Sequence, residues 1–348
     1  MTRAILIAVL ILLATGAAQA EPARRAYTIR PYANSPAGDW ADGEDPLVRQ
    51  AAVEALGRLN GSIVVADAQT GQILSMVNQK LALSDGYIPC STIKLVAGLA
   101  ALSEGLIEPA EKVYFPGGWF MTMVHGLAIS NNVLFDELGE RLGFGRFRRY
   151  ARWLGFGEKA GWNIPGEQIG NFPAVEHDMG VGRMTSFGDG ISVTPLQLAA
   201  FVSSIANGGS LYYLQHPEDQ SQATALSPRL KRHLAIGDWL PEIEKGMAEA
   251  VRTGTAKRAR ASGTSVWGKT GTCSVNSQRS RTRLGWFASF ARDRDRTLTI
   301  VVMLRGGASI SGSLASEVGG NVLQRLRRSE LAARHPELKI GRLASQSR

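Results

Sequence analysis

Cysteine is almost absent from this chain: among 348 residues there are two, Cys90 and Cys273. Two cysteines build neither a disulfide framework nor a four-thiolate metal site. Histidine is also scarce. The five, at 125, 177, 216, 233 and 335, have no metal-ligand spacing, so no metal centre is expected. Beyond residue 20 no stretch is apolar enough to span a bilayer. There is no internal repeat and no low-complexity segment, which excludes a solenoid or a disordered tract. Acidic residues are outnumbered, 30 against 39 Lys and Arg, for a net charge of +9. The excess is spread along the chain, which suggests affinity for anionic surfaces without naming one. The clusters Lys257-Arg258-Arg260 and Arg279-Arg281-Arg283 have no nucleic-acid fold around them, so no nucleic-acid partner is expected. They read as solvated faces, with an anionic substrate beside Arg279 to Arg283 as the sharper alternative.

What is present is an ordinary globular composition, 44% hydrophobic and 20% charged, with enough apolar residues for a sizeable core. Residues 1–20 stand apart. Arg3 is a basic start, 4–14 an apolar run, and Ala18-Gln19-Ala20 a cleavage site before Glu21. That pattern is a secretory signal peptide. The expectation is export to the periplasm or another extracytoplasmic space, with cleavage after Ala20 and no membrane-spanning segment left. Retention as an anchor is the alternative. A lead-in follows over 21–46, then a domain over 47–334 and a loose tail over 335–348.

Within the domain the apolar spacing predicts a helix over 46–60, strands over 62–67 and 73–77, and a helix opened by Ser91. That helix would bury Ile93, Leu95, Val96, Leu99 and Leu102 on one side and stop at Gly105. Helical patterns recur over 123–142 (one helix or a helix-turn-helix), 147–154, 195–207 and 240–252. Strands are predicted over 266–272, 283–290 and 297–304, and a closing helix over 314–334. Strands lie at both ends and helices in the middle. The fold class is therefore α+β: an antiparallel central sheet built from both chain ends, flanked by helices, with an inserted all-helical subdomain.

Three short motifs carry chemistry. Ser91-Thr92-Ile93-Lys94 puts a serine and a lysine one helical turn apart. Serine is a poor nucleophile without a base beside it, and a lysine serves as that base if burial or a neighbouring cation lowers its pKa. Ser130-Asn131-Asn132 is a Ser-x-Asn, and Lys269-Thr270-Gly271-Thr272 falls on a predicted strand. Alone, these are more often an exposed helix turn, a helix cap and a strand end.

In this order they resemble the transpeptidase domain of penicillin-binding proteins, within the wider group of serine enzymes that recognise penicillin. The resemblance extends to 61–77, GSIVVADAQTGQILSMV, to the segment from Gly188 through Thr194-Pro195 and Gln197 to Ala199, to Ile205-Ala206-Asn207-Gly208-Gly209, and to Gly246-Met247 and Gly254-Thr255-Ala256. It covers roughly residues 47–330. It implies Ser91 as nucleophile, Lys94 as base and Ser130 as proton relay to the leaving nitrogen. Asn132 would hold the substrate amide, and Lys269 and Thr272 would face its carboxylate. Thr270 is mainly a strand residue and Gly271 completes the motif. The N–H groups of Ser91 and Thr272 would form an oxyanion hole. No cofactor is implied. The partners implied are peptidoglycan stem peptides and β-lactams, with cell-wall synthesis proteins as candidates.

The same resemblance bears on the cysteines, which directly precede Ser91 and directly follow Thr272. Some carbapenem-hydrolysing class A β-lactamases bridge these two positions, so a Cys90–Cys273 disulfide is expected, two free buried thiols being the alternative. The activity implied is a serine D,D-transpeptidase or carboxypeptidase working through an acyl-enzyme. Two alternatives stand beside it. A β-lactamase would need a base for deacylation, for which Glu167 is the candidate. A non-catalytic sensor or scaffold would bind penicillin or muropeptides without turnover. Three features depart from the family pattern: the short interval from Ser91 to Ser130, Asp189 where glutamine is common, and a free-standing domain as the expected organisation.

Overall fold

The computed structural model describes residues 27–261, 263–276, 281–293 and 296–334. The signal peptide, Arg279 and the tail expected over 335–348 lie outside these residues. Asp45 starts the first helix: its carboxylate accepts from the N–H groups of Leu47 and Val48, and Pro46 fits the first turn. Helix α1 (Pro46–Leu56) stops at Gly57, short of the predicted Asn60. Strands β1 (Gly61–Asp67) and β2 (Ile73–Val77) form the expected hairpin. A single turn, α2 (Gln79–Ala82), leads toward a short 3-10 helix, Cys90–Ile93, that runs into α3 (Lys94–Ser103).

The helical block follows. A small hairpin, β3 (Val113–Tyr114) and β4 (Phe120–Met121), precedes α4 (Met123–Ala128), α5 (Asn132–Leu142) and α6 (Phe144–Trp153). The pattern over 123–142 is thus a helix-turn-helix. Helix α7 (Val181–Phe187) was not anticipated. Helix α8 (Pro195–Ala206) is followed by β5 (Ser210–Tyr213), α9 (Gln220–Ala225) and β6 (Arg229–His233), with β5 and β6 paired. Helix α10 (Leu240–Arg252) leads to β7 (Ser265–Asn276), β8 (Arg281–Asp293) and β9 (Arg296–Gly306), and α11 (Gly312–Arg334) closes the domain.

The central sheet has the order β2-β1-β9-β8-β7, antiparallel throughout. It joins strands from both ends of the domain, as the sequence pattern requires. Both faces are covered. Side chains alternate along each strand: Ile63, Val65, Phe287, Ile300 and Val302 pack in one cluster with α1 and α11. Val64, Ala66, Trp286, Ala288, Val301 and Met303 pack on the other side with α3 and α8. That double burial is why β1 and β9 read as nearly continuous apolar runs. Among the described residues no helix is long and apolar enough to cross a membrane.

Candidate active site

The 3-10 helix that carries Ser91 begins in an unusual backbone state. Cys90 has φ +50, the left-handed region that few non-glycine residues enter. The chain turns there and enters α3. This helix was expected to bury one side. It is buried all round from Lys94 to Leu102, because its sequence is apolar all round and it fills the centre of the domain. Lys94 is fully buried with it. Its Nζ lies 2.9 Å from Ser91 Oγ, 2.6 Å from Asn132 Oδ1, and 3.1 Å and 3.4 Å from the carbonyl oxygen and Oγ of Ser130. The rings of Phe135 and Phe187 wall it in, with centroids at 5.8 and 5.9 Å.

The second motif forms the corner between α4 and α5. Ser130 also has a left-handed backbone, φ +58. Asn131 caps α5, its Oδ1 accepting from Leu134 N–H over 2.8 Å, and Asn132 opens that helix. Asn131 is thus a helix cap, and the corner it builds brings Ser130 Oγ and Asn132 Oδ1 to Lys94 Nζ.

The third motif lies on β7, an edge of the sheet. Lys269 is fully buried, and its Nζ donates to Ser130 Oγ and to the carbonyl of Thr270, both at 2.8 Å. Ser130 Oγ thus stands between two lysine nitrogens. Thr270 Oγ1 donates to Thr255 Oγ1 over 2.6 Å, while Thr255 N–H donates to Ala128 O. Thr255 consequently joins the Lys-Thr-Gly strand to the Ser130 corner. Gly271 leaves little room for a side chain: a Cβ there would sit 3.0 Å from Pro89 O and 3.3 Å from Ser91 N. Thr272 is exposed, and its hydroxyl accepts from Gly312 N–H at the start of α11, leaving its O–H free to donate. Cys90 and Cys273 are joined in a disulfide, with Cα atoms 5.6 Å apart.

Burial pushes the Lys94 ammonium down from its usual 10.5 to about 7. Lys269 is pushed well below the same value, by burial first and by the nearby charge of Lys94 second. Either state of the lysine suits the geometry at 94. As an ammonium, Nζ donates to Ser91 Oγ, Asn132 Oδ1 and Ser130 O; once one proton is lost, the lone pair can accept the hydroxyl of Ser91 instead. An amine that loses its proton near neutral pH while touching a serine hydroxyl is chemically able to act as a general base.

Other candidates fall elsewhere. The carboxylate of Glu167 is buried and accepts from Ala160 and Gly161 N–H at 2.6 to 3.1 Å, and no described contact joins it to Ser91 or Lys94. Burial pushes its pKa up, against those two N–H groups. Thr194 and Gln197 form a reciprocal capping box at the start of α8, and Gln197 Nε2 ties down the carbonyls of Glu158 and Ile169. Asp189 pairs with Arg183 at 2.8 Å, and that guanidinium lies 3.9 Å over the Phe187 ring. Arg258 pairs with Glu317, and Arg281 and Arg283 bond to Ser274 Oγ and Ile310 O. These contacts lie within the domain, the Arg258–Glu317 pair on its exposed surface. Phe187 is a neighbour of Lys94 that the sequence reading did not single out, and Thr255 was named there only as part of the resemblance, with no role.

A serine with a buried lysine one turn on, a second serine corner and a Lys-Thr-Gly edge strand define the class: the serine enzymes that recognise penicillin. The model of the penicillin binding protein transpeptidase domain matches residues 61–324, and the chain belongs to that family. Among curated relatives it is 29% identical over 280 residues to stage V sporulation protein D of Bacillus subtilis, covering 72% of this chain and 43% of that one. It is 25% identical over 315 residues to peptidoglycan D,D-transpeptidase MrdA of Acinetobacter baumannii, covering 72% and 46%. The chain thus spans less than half the length of these two relatives. The fold matches the transpeptidase domain of Burkholderia pseudomallei penicillin-binding protein 3 with a TM-score of 0.67, at 22% identity, over 81% of this chain and 92% of that one.

Proposed function

We propose that the chain is an exported serine D,D-transpeptidase or carboxypeptidase acting on peptidoglycan stem peptides that end in D-Ala-D-Ala. Ser91 Oγ attacks the carbonyl of the penultimate residue while Lys94 takes its proton. The carbonyl oxygen gathers negative charge and is received by the N–H groups of Ser91 and Thr272. The C–N bond breaks, and Ser130, whose Oγ is 3.4 Å from Lys94 Nζ, relays to the departing D-alanine nitrogen the proton that Lys94 took from Ser91. Asn132 holds the donor amide, and Lys269 and Thr272 face its terminal carboxylate. The acyl-enzyme is then released to an amine, which is transpeptidation, or to water, which is carboxypeptidation. A β-lactam follows the same first half and stays attached, because its leaving amine is tethered in the ring.

The observation that supports this reading best is the 2.9 Å contact between Ser91 Oγ and a buried Lys94 whose pKa is near 7. The test is intact-mass spectrometry of the protein mixed with benzylpenicillin, followed over time beside Ser91→Ala. A long-lived adduct on the parent protein, absent from the variant, is the expected result. A short-lived adduct with hydrolysed drug accumulating would make the protein a β-lactamase. A stable adduct together with no turnover of a D-Ala-D-Ala peptide would favour a sensor.

A further inference from the structure

The disulfide lies beside the candidate nucleophile. It links the residue before Ser91 to the residue after Thr272, across a sequence separation of 183. In the acyl-enzyme reading, on which this inference rests, Ser91 and Thr272 supply the two oxyanion N–H groups. Those groups come from different elements, a 3-10 helix and an edge strand. The covalent path between them is short: from Ser91 to Cys90, across the sulfurs, to Cys273 and Thr272. The backbone at Cys90 is held at φ +50, a strained state for a residue with a Cβ, which persists only where the surroundings fix it.

Other contacts also hold the two elements together. Trp286 Nε1 donates to Ile88 O over 2.9 Å, and Gly271 lies against Pro89 and Cys90. The domain is thus expected to stay folded when the bridge opens, while the turn at Cys90 relaxes. A misplacement of reacting groups by about 1 Å costs on the order of a hundredfold in rate. We propose that the Cys90–Cys273 bridge is a positioning device that sets the separation of the two oxyanion N–H groups, and so makes acylation of Ser91 depend on the thiol–disulfide state. The two sulfurs differ in access: Cys273 is half-buried and Cys90 fully buried. A dithiol reductant attacks at Cys273, Cys90 leaves as the thiolate and picks up a proton, and the donor's second thiol releases Cys273 as the donor closes to its own disulfide.

The experiment measures acylation by benzylpenicillin in the oxidised protein, in the same protein reduced with dithiothreitol, and after reoxidation. Cys90→Gly combined with Cys273→Ala is the second arm, since glycine accepts φ +50 without strain. Expected is an acylation constant at saturating drug at least tenfold lower in the reduced protein and the variant. The drug concentration for half-maximal rate and the pH midpoint stay unchanged, and the rate returns on reoxidation. Equal rates in both redox states would overturn the inference. So would a reduced protein that loses drug binding and melting temperature together, since the bridge would then be merely structural. No adduct even in the oxidised protein would overturn the reading of Ser91, and this inference with it.

Discussion

The Nζ of Lys94 lies closer to Asn132 Oδ1, at 2.6 Å, than to Ser91 Oγ, at 2.9 Å. A carboxamide oxygen accepts from either state of the lysine but adds no charge. Lys94 therefore has a strong acceptor beside it while burial still drives its proton off. Replacing Asn132 by Asp puts a full negative charge at that contact and favours the ammonium. The Asn132→Asp variant is expected to shift the midpoint of acylation from near pH 7 to higher pH. At pH 7 it should acylate at least tenfold more slowly, with partial recovery at pH 9. A pH profile of benzylpenicillin acylation in the two proteins checks this; an unmoved midpoint would exclude Lys94 as the titrating base.

The same lysine makes stability depend on pH. Its folded value is about 7, below the 10.5 of an ordinary lysine, so between those values the unfolded chain binds more protons. The destabilisation is fully present below pH 7 and is relieved as pH rises from there toward 10.5. One proton sets a limiting slope of about 1.4 kcal/mol per pH unit. Lys269 is shifted in the same direction and adds to the trend. Lys94→Met removes one of the two groups. Melting curves at pH 7 and pH 9 should show the parent gaining more, or losing less, over that interval than the variant. An identical change in both proteins would mean that Lys94 is charged in the folded state at pH 7.

Much of this site is legible in the sequence because chemistry fixes its local spacing. Ser91 and Lys94 are one helical turn apart, and Lys269 to Thr272 needs an edge strand. The sheet is legible too, since β1 and β9 are apolar runs at opposite ends of the domain. What local pattern does not carry is approach between distant segments. Thr255 matters because it touches both Thr270 and Ala128, and nothing in Gly-Thr-Ala announces that. Phe187 matters because α7 packs beside the Ser91 turn, where Gly188, at φ +82, brings the helix end against Pro89. The β5–β6 hairpin was missed because Arg229-Leu230-Lys231-Arg232-His233 has no apolar alternation.

Glu167 separates the enzyme readings. Its carboxylate braces the loop at Ala160 and Gly161, and the structure gives it no contact with the serine. Glu167→Ala leaves two buried N–H groups without an acceptor, at a cost of about 1–3 kcal/mol each at most. A lower melting temperature with unchanged adduct formation and unchanged adduct lifetime is therefore expected, read by thermal melting and intact mass at a temperature where both proteins are folded. A lifetime extended tenfold or more would reinstate Glu167 as a deacylating base.

Gly271 shows how closely β7 and the nucleophile turn approach. A methyl group there would press on Pro89 O, Cys90 Cβ and Ser91 N at 3.0, 3.2 and 3.3 Å. Each contact is tighter than ordinary packing, and none involves a flexible side-chain end. The disulfide at Cys90 and Cys273 also prevents the two segments from separating freely. Adding the methyl group pushes these neighbours a few tenths of an ångström apart, at the place where the proposed mechanism brings Ser91 N–H and Thr272 N–H together. Gly271→Ala is expected to lower the acylation constant by tenfold or more, because small errors in such geometry are expensive in rate. The overpacking itself costs about 1–3 kcal/mol of stability. Stopped-flow acylation beside a thermal melt separates the two effects. A variant that loses stability but acylates at the parental rate would show that the strand and the nucleophile turn do not act together on the carbonyl oxygen.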